Sequence, residues 1–103
     1  MRRAHWTRID TRESDIVAEI MHYLRMMGGY PYLTHDARHH PAHAGIADIE
    51  CAMGEGAFYH FEVKKPGEKQ SEDQKRHGAA LTARGHKYYR VESVEDVVQV
   101  LGK

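Results

Sequence analysis

A chain of 103 residues has room for one hydrophobic core and not for two. Its 15 basic and 15 acidic residues cancel, with nine histidines taken as neutral, so bulk positive charge alone would not hold it to nucleic acid. Hydrophobic residues make up 41%, and no run approaches the ~18 apolar residues of a membrane span, which argues against an integral membrane protein.

Residues 1–9 are basic, carry Trp6 and show no periodicity. They read as a frayed end, or as a basic arm (residues 1–10) that touches phosphate or a partner subunit. A single domain is expected over 11–103. The first residues lack the apolar stretch of a secretory signal. Cys51 is the one cysteine, so no intrachain disulfide can form, and a cytoplasmic location is expected.

Asp10-Thr11-Arg12-Glu13 offers a helix N-cap with an acid three residues on. Ile16, Ile20, Leu24 and Met27 then recur at helical spacing, widened by Val17 and Tyr23, until Gly28-Gly29 stops the helix. A capping acid accounts for Glu13 without any chemistry. Tyr30–Thr34 reads as a short strand, at an edge because Pro31 donates no hydrogen bond.

The following loop carries His35, His39, His40 and His43. These invite a zinc reading, since imidazole is a common ligand, but no paired cysteine accompanies them. The alternative is a polar loop beside a phosphate-handling site, with Arg38 and a histidine in contact with the phosphate.

Gly45-Ile46-Ala47-Asp48-Ile49 and Phe61-Glu62-Val63-Lys64-Lys65 read as two strands. The link Met53-Gly54-Glu55-Gly56 should make them an antiparallel hairpin. Side chains alternate faces along a strand. Ala47, Ile49 and Cys51 then share a face with Tyr59, Phe61 and Val63 as core. Asp48, Glu62 and Lys64 converge opposite, where two acids and a lysine can hold a divalent cation and a phosphate oxygen together. Read singly, Asp48 is a surface acid and Glu62–Lys64 a surface pair worth ~0.2–1 kcal/mol.

Pro66–Gln70 is an exit loop. Ser71-Glu72-Asp73-Gln74 is a capping box that opens a helix through Ala79, Ala80 and Leu81 to Arg84-Gly85. The box accounts for Gln74, and a side chain bonded to its own cap is not expected to face substrate as well. The apolar stripe is thin, so this helix should lie on the sheet with a wet, basic outer side. His86–Val91 reads as a strand. Ser93-Val94-Glu95-Asp96 caps a last helix that buries Val94, Val97, Val98 and Leu101.

Asp48 followed by Glu62-Val63-Lys64 resembles the signature of the PD-(D/E)XK nuclease superfamily, with Ala47 where that name puts proline. The closer resemblance is to the VRR-NUC family of replication and repair nucleases. It is carried by Gly45-Ile46-Ala47-Asp48, Glu62-Val63-Lys64-Lys65-Pro66-Gly67, Ser71-x-x-Gln74 and Ser93-Val94-Glu95-Asp96-Val97, and spans about residues 11–101.

The resemblance implies a restriction-endonuclease-like α/β fold: a small mixed sheet flanked by helices in the order α-β-β-β-α-β-α. It also implies a divalent-metal-dependent DNA endonuclease acting on branched, flap or junction DNA in repair. Asp48, Glu62 and the Val63 carbonyl are the expected ligands of Mg²⁺ or Mn²⁺, hard ions that prefer oxygen. Lys64 would orient water or stabilise developing charge. Glu13 and Gln74 would line the site, and Glu13 or Glu50 could serve a second ion.

Arg38, Lys65, Lys69 and Lys75 are the expected DNA contacts, and a homodimer would set two sites on two strands. Two readings from other classes stand beside this one. The first is a catalytically weak nucleic-acid-binding module of the same fold. The second is a zinc-binding regulatory protein using the His35–His43 loop.

Overall fold

Alternation with period two across the central hairpin decides the middle of the fold. β2 (Ile49–Ala52) and β3 (Phe58–Val63) pair antiparallel in the register Ile49↔Phe61 to Ala52↔Phe58. They are joined through a 3₁₀ turn at Gly54–Gly56, where Glu55 adopts a left-handed φ of 61°. Ile49, Cys51, Phe61 and Val63 are fully buried on one face, as the sequence pattern requires. The computed structural model describes residues 12–34 and 45–102.

The remaining elements are α1 (Glu13–Met26), β1 (Tyr30–Leu33), α2 (Glu72–Ala83), β4 (Lys87–Val91) and α3 (Val94–Leu101). The sheet order is β1-β2-β3-β4, antiparallel except for the parallel β3–β4 pair. This is the small mixed α/β sheet, in the element order, that the sequence predicts. β1 lies at an edge, as Pro31 suggests. No helix among the described residues is long and apolar enough to cross a membrane.

The core lies on one face. α1 contributes Ile16, Ile20, Met21 and Leu24, β4 gives Val91, and Val97 of α3 closes the layer. Apolar residues at three- and four-residue steps make α1 a one-faced helix, and burying that stripe against Phe61 and Ile49 holds it there. The opposite face of the sheet is polar and is covered in part by α2.

Two details differ from the sequence reading. α1 begins at Glu13 with Arg12 at the cap and no side-chain capping bond, so Glu13 stands in the first turn and not three residues after a cap. Asp10, offered as that cap, lies outside the described residues. β2 begins at Ile49, so Gly45–Asp48 lead into the ladder and are not part of it.

The reason is at Gly45. Its φ is 85°, and a Cβ there would stand 2.4 Å from the Asp73 carbonyl oxygen. The chain turns at this point against the first turn of α2 before it can pair as a strand.

The thin stripe of α2 agrees with the sequence reading. Its one buried residue is Gly78, where a Cβ would stand 2.5 Å from the Tyr88 ring. The helix docks by close backbone approach to an aromatic face and has little need of large apolar side chains.

Candidate metal and nuclease site

Asp48 stands at the entrance to β2, one position beyond the Ile49↔Phe61 pair, and is 5% exposed. Its Oδ2 accepts the Val63 backbone N–H at 2.8 Å, which ties it to the strand that carries Glu62. The neighbouring backbone is fixed too. Thr34, itself buried, donates its N–H to the Asp48 carbonyl at 3.0 Å and its hydroxyl to the Ala47 carbonyl. The end of β1 therefore locks the approach to Asp48.

Glu62 is 1% exposed, deeper than a same-face surface pair would be. Gln74 Nε2 donates to Glu62 Oε2 at 2.6 Å. Gln74 also completes the capping box: its Oε1 accepts the Ser71 N–H at 2.8 Å, and its own N–H bonds Ser71 Oγ at 3.1 Å. The sequence reading set these roles against each other. The structure corrects it, because an amide has an accepting end and a donating end and uses one for each.

Lys64 Nζ lies 3.9 Å from the same Glu62 oxygen, an ion-pair distance, with its side chain 11% exposed. Its backbone N–H bonds the Val91 carbonyl at 2.9 Å. Asp48, Glu62, Lys64 and Gln74 are thus drawn together by the β2–β3 register and the docking of α2. Glu13 joins by a different route, since it lines with Asp48 a cavity of about 570 Å³ walled by Val17, Met21 and Leu33.

Of the expected DNA contacts, Lys65 and Lys69 are exposed on the exit loop, and Lys75 is exposed on α2 but lies 3.6 Å from Glu72. Arg38 and the histidines at 35, 39, 40 and 43 lie outside the described residues, as does the 1–10 arm. The exit loop is clamped by Arg90, which bonds Glu92 Oε2 at 2.7 Å and the Glu68 carbonyl. Glu92 also accepts the Gly67 N–H at 3.3 Å. Those bonds hold the Glu92 carboxyl below its ordinary range, the Arg90 bond first.

A second polar cluster lies further along the same sheet face, and the sequence did not single it out. Glu50 accepts the Tyr32 hydroxyl at 2.8 Å on Oε1 and lies 3.3 Å from His60 Nδ1 through Oε2. Glu50 thus sits between Tyr32 and His60 on this face. Beneath α2, the Tyr88 hydroxyl receives Gln70 Nε2 at 3.0 Å. Burial, reinforced by the Glu62 carboxylate, holds that phenol neutral well above its usual range. His77 meets Tyr88 edge-on at 5.9 Å.

The donors that Asp48 and Glu62 offer are carboxylate oxygens, both buried. Among the described residues no three His, Cys, Asp or Glu side chains are grouped to hold an ion by themselves. That set fits Mg²⁺ or Mn²⁺, which take one or two carboxylates and complete their shell with water and substrate phosphate.

No protein-family model matches the sequence, and no curated protein matches it. A solved structure described as a VRR_NUC domain superposes with a TM-score of 0.75 at 21% identity, over 89% of this chain and 96% of that one. The fold is that of a VRR_NUC domain. Within the VRR_NUC fold the buried Asp48–Glu62–Lys64–Gln74 group falls where β2, β3 and the start of α2 meet.

Proposed function

We infer that the chain is a VRR-NUC nuclease: one domain over 11–103 that hydrolyses DNA phosphodiester bonds with Mg²⁺ or Mn²⁺. The observation that supports this best is the gathering of Asp48, Glu62 and Lys64 under the Gln74 amide. Two carboxylate oxygen donors beside a lysine are the ligand type that a hard divalent cation takes on one side and a phosphate meets on the other. The likeness in fold adds to the same reading.

Asp48, Glu62 and the Val63 carbonyl would hold the ion. When bound, it lowers the pKa of water and neutralises phosphate charge. Lys64 meets the negative charge that grows on the phosphoryl oxygens and orients the attacking water. Gln74 keeps the Glu62 carboxylate aimed, and Glu13 borders the same cavity. Lys65, Lys69 and Lys75 steer the backbone, joined by Arg38. A structure-specific substrate (branched, flap or junction DNA), a homodimer, a place in DNA repair and a cytoplasmic location complete the reading.

A cleavage screen tests it. Duplex, flap, splayed-arm and four-way-junction DNA are incubated with Mg²⁺, Mn²⁺ or chelator. Metal-dependent cutting of at least one branched form, lost in Glu62→Gln, is expected. Absence of cutting across the panel would sink the reading.

A further inference from the structure

Half of the polar sheet face carries exposed aromatic rings. α2 docks on the β4 side, and towards β1 Tyr30 is 71% exposed, Tyr32 40% and Phe58 37%. Register sets Tyr30, Ala52 and Phe58 in one cross-strand row and Tyr32, Glu50 and His60 in the next, all on one face. The Tyr30 and Tyr32 ring centroids are 6.0 Å apart. Ala52 raises only a methyl between Tyr30 and Phe58, whose strands lie about 9.6 Å apart at two interstrand spacings.

These rings do not build the core, which lies on the other face. They share their face with the proposed cleavage centre. Ala52 back along β2 to Asp48 at its entrance, and Phe58 to Glu62 on β3, are each four residues, or about 13 Å. That is about four stacked base steps at 3.4 Å.

We propose that Tyr30, Tyr32 and Phe58 form a stacking platform for unpaired nucleobases, laying a single strand towards Asp48 and Glu62. The destination rests on the nuclease reading. The stacking does not, because every base has a π-face and aromatic side chains bind it without sequence preference. A second copy of the chain is the poorer occupant. Pro31 in the edge strand removes a ladder donor, so β1 is ill-suited to pair with another strand.

The test is fluorescence anisotropy of a labelled single-stranded oligonucleotide and of a duplex of the same sequence, in chelator so that nothing is cut. Tyr30→Ala and Phe58→Ala should each weaken single-strand binding by roughly tenfold and leave duplex binding unchanged. Tyr30→Trp should bind at least as well as wild type. Tyr30 is exposed enough that its alanine variant should melt as wild type does, which keeps the test valid if Phe58→Ala folds poorly.

Undetectable single-strand binding by the wild type, unchanged affinity in Tyr30→Ala, or equal losses for single strand and duplex would each overturn the platform. So would a variant that loses self-association in sedimentation while binding DNA normally. A wild type that binds single strands through these rings yet cuts nothing with Mg²⁺ or Mn²⁺ would leave the platform standing and remove the nuclease reading.

Discussion

Gln74 reaches Glu62 Oε2 with its Nε2 at 2.6 Å while its Oε1 holds the Ser71 N–H at 2.8 Å. One amide starts a helix and aims a carboxylate. Gln74→Ala removes both bonds and should lower unfolding free energy by about 0.5–2 kcal/mol, together with cleavage. Gln74→Glu keeps an acceptor for Ser71 but sets a second carboxylate against Glu62. Like charges raise the pKa of one of them. Its stability deficit should therefore shrink as pH falls, read from urea unfolding of both proteins between pH 8 and 5.

Asp48 separates a ligand's role from a structural one. Asp48→Ala leaves the buried Val63 N–H without its acceptor, at a cost of about 1–3 kcal/mol. Asp48→Asn keeps an oxygen in place and should unfold near the wild-type midpoint. Both should lose cleavage, and neither should gain the thermal stabilisation that added Mn²⁺ gives the wild type. A Mn²⁺-dependent shift that survives in Asp48→Asn would remove Asp48 from the ligand set.

Lys64→Met should cut the rate about 10²–10³-fold, as loss of a donor to developing charge does elsewhere, and still be stabilised by metal. The variant also removes the ammonium that stands 3.9 Å from Glu62. Lys64→Arg should rescue poorly, since a planar fork does not replace a compact ammonium. Single-turnover rates check both variants, and melting with and without Mn²⁺ checks the stabilisation.

His77 predicts an acid sensitivity. Burial, with His60 adding and Glu50 opposing, holds its imidazole below the ordinary 6.5. As pH drops through about 6.5 the unfolded chain gains a proton that the fold refuses. Stability is therefore complete above that pH and is lost from there down to the lower, folded-state value. His77→Leu should flatten this part of the melting profile between pH 7.5 and 5, whereas an unchanged slope would assign it to other histidines.

The element order and the Asp48…Glu62-x-Lys64 group were legible because period-two alternation assigns faces without knowing the tertiary structure. Gln74 was half legible. Ser71-x-x-Gln74 announces a cap, but only docking of α2 brings the free end of that amide to Glu62. The Tyr32–Glu50–His60 cluster was not legible, because it depends on the register of β1, which a four-residue strand does not specify. The thin stripe of α2 gave no docking depth, since that depth is set by the absence of a side chain at Gly78.

Thr34 and Gly45 are both pinned, the first to Ala47 and Asp48 and the second against the Asp73 carbonyl. The ten positions between them, 35–44, thus leave and rejoin the fold at two fixed posts. The acid at 48 is therefore positioned from both flanks of that interval, by the hydroxyl and N–H of Thr34 on one side and by the close approach of Gly45 to the first turn of α2 on the other. Its placement is a property of the sheet and helix together.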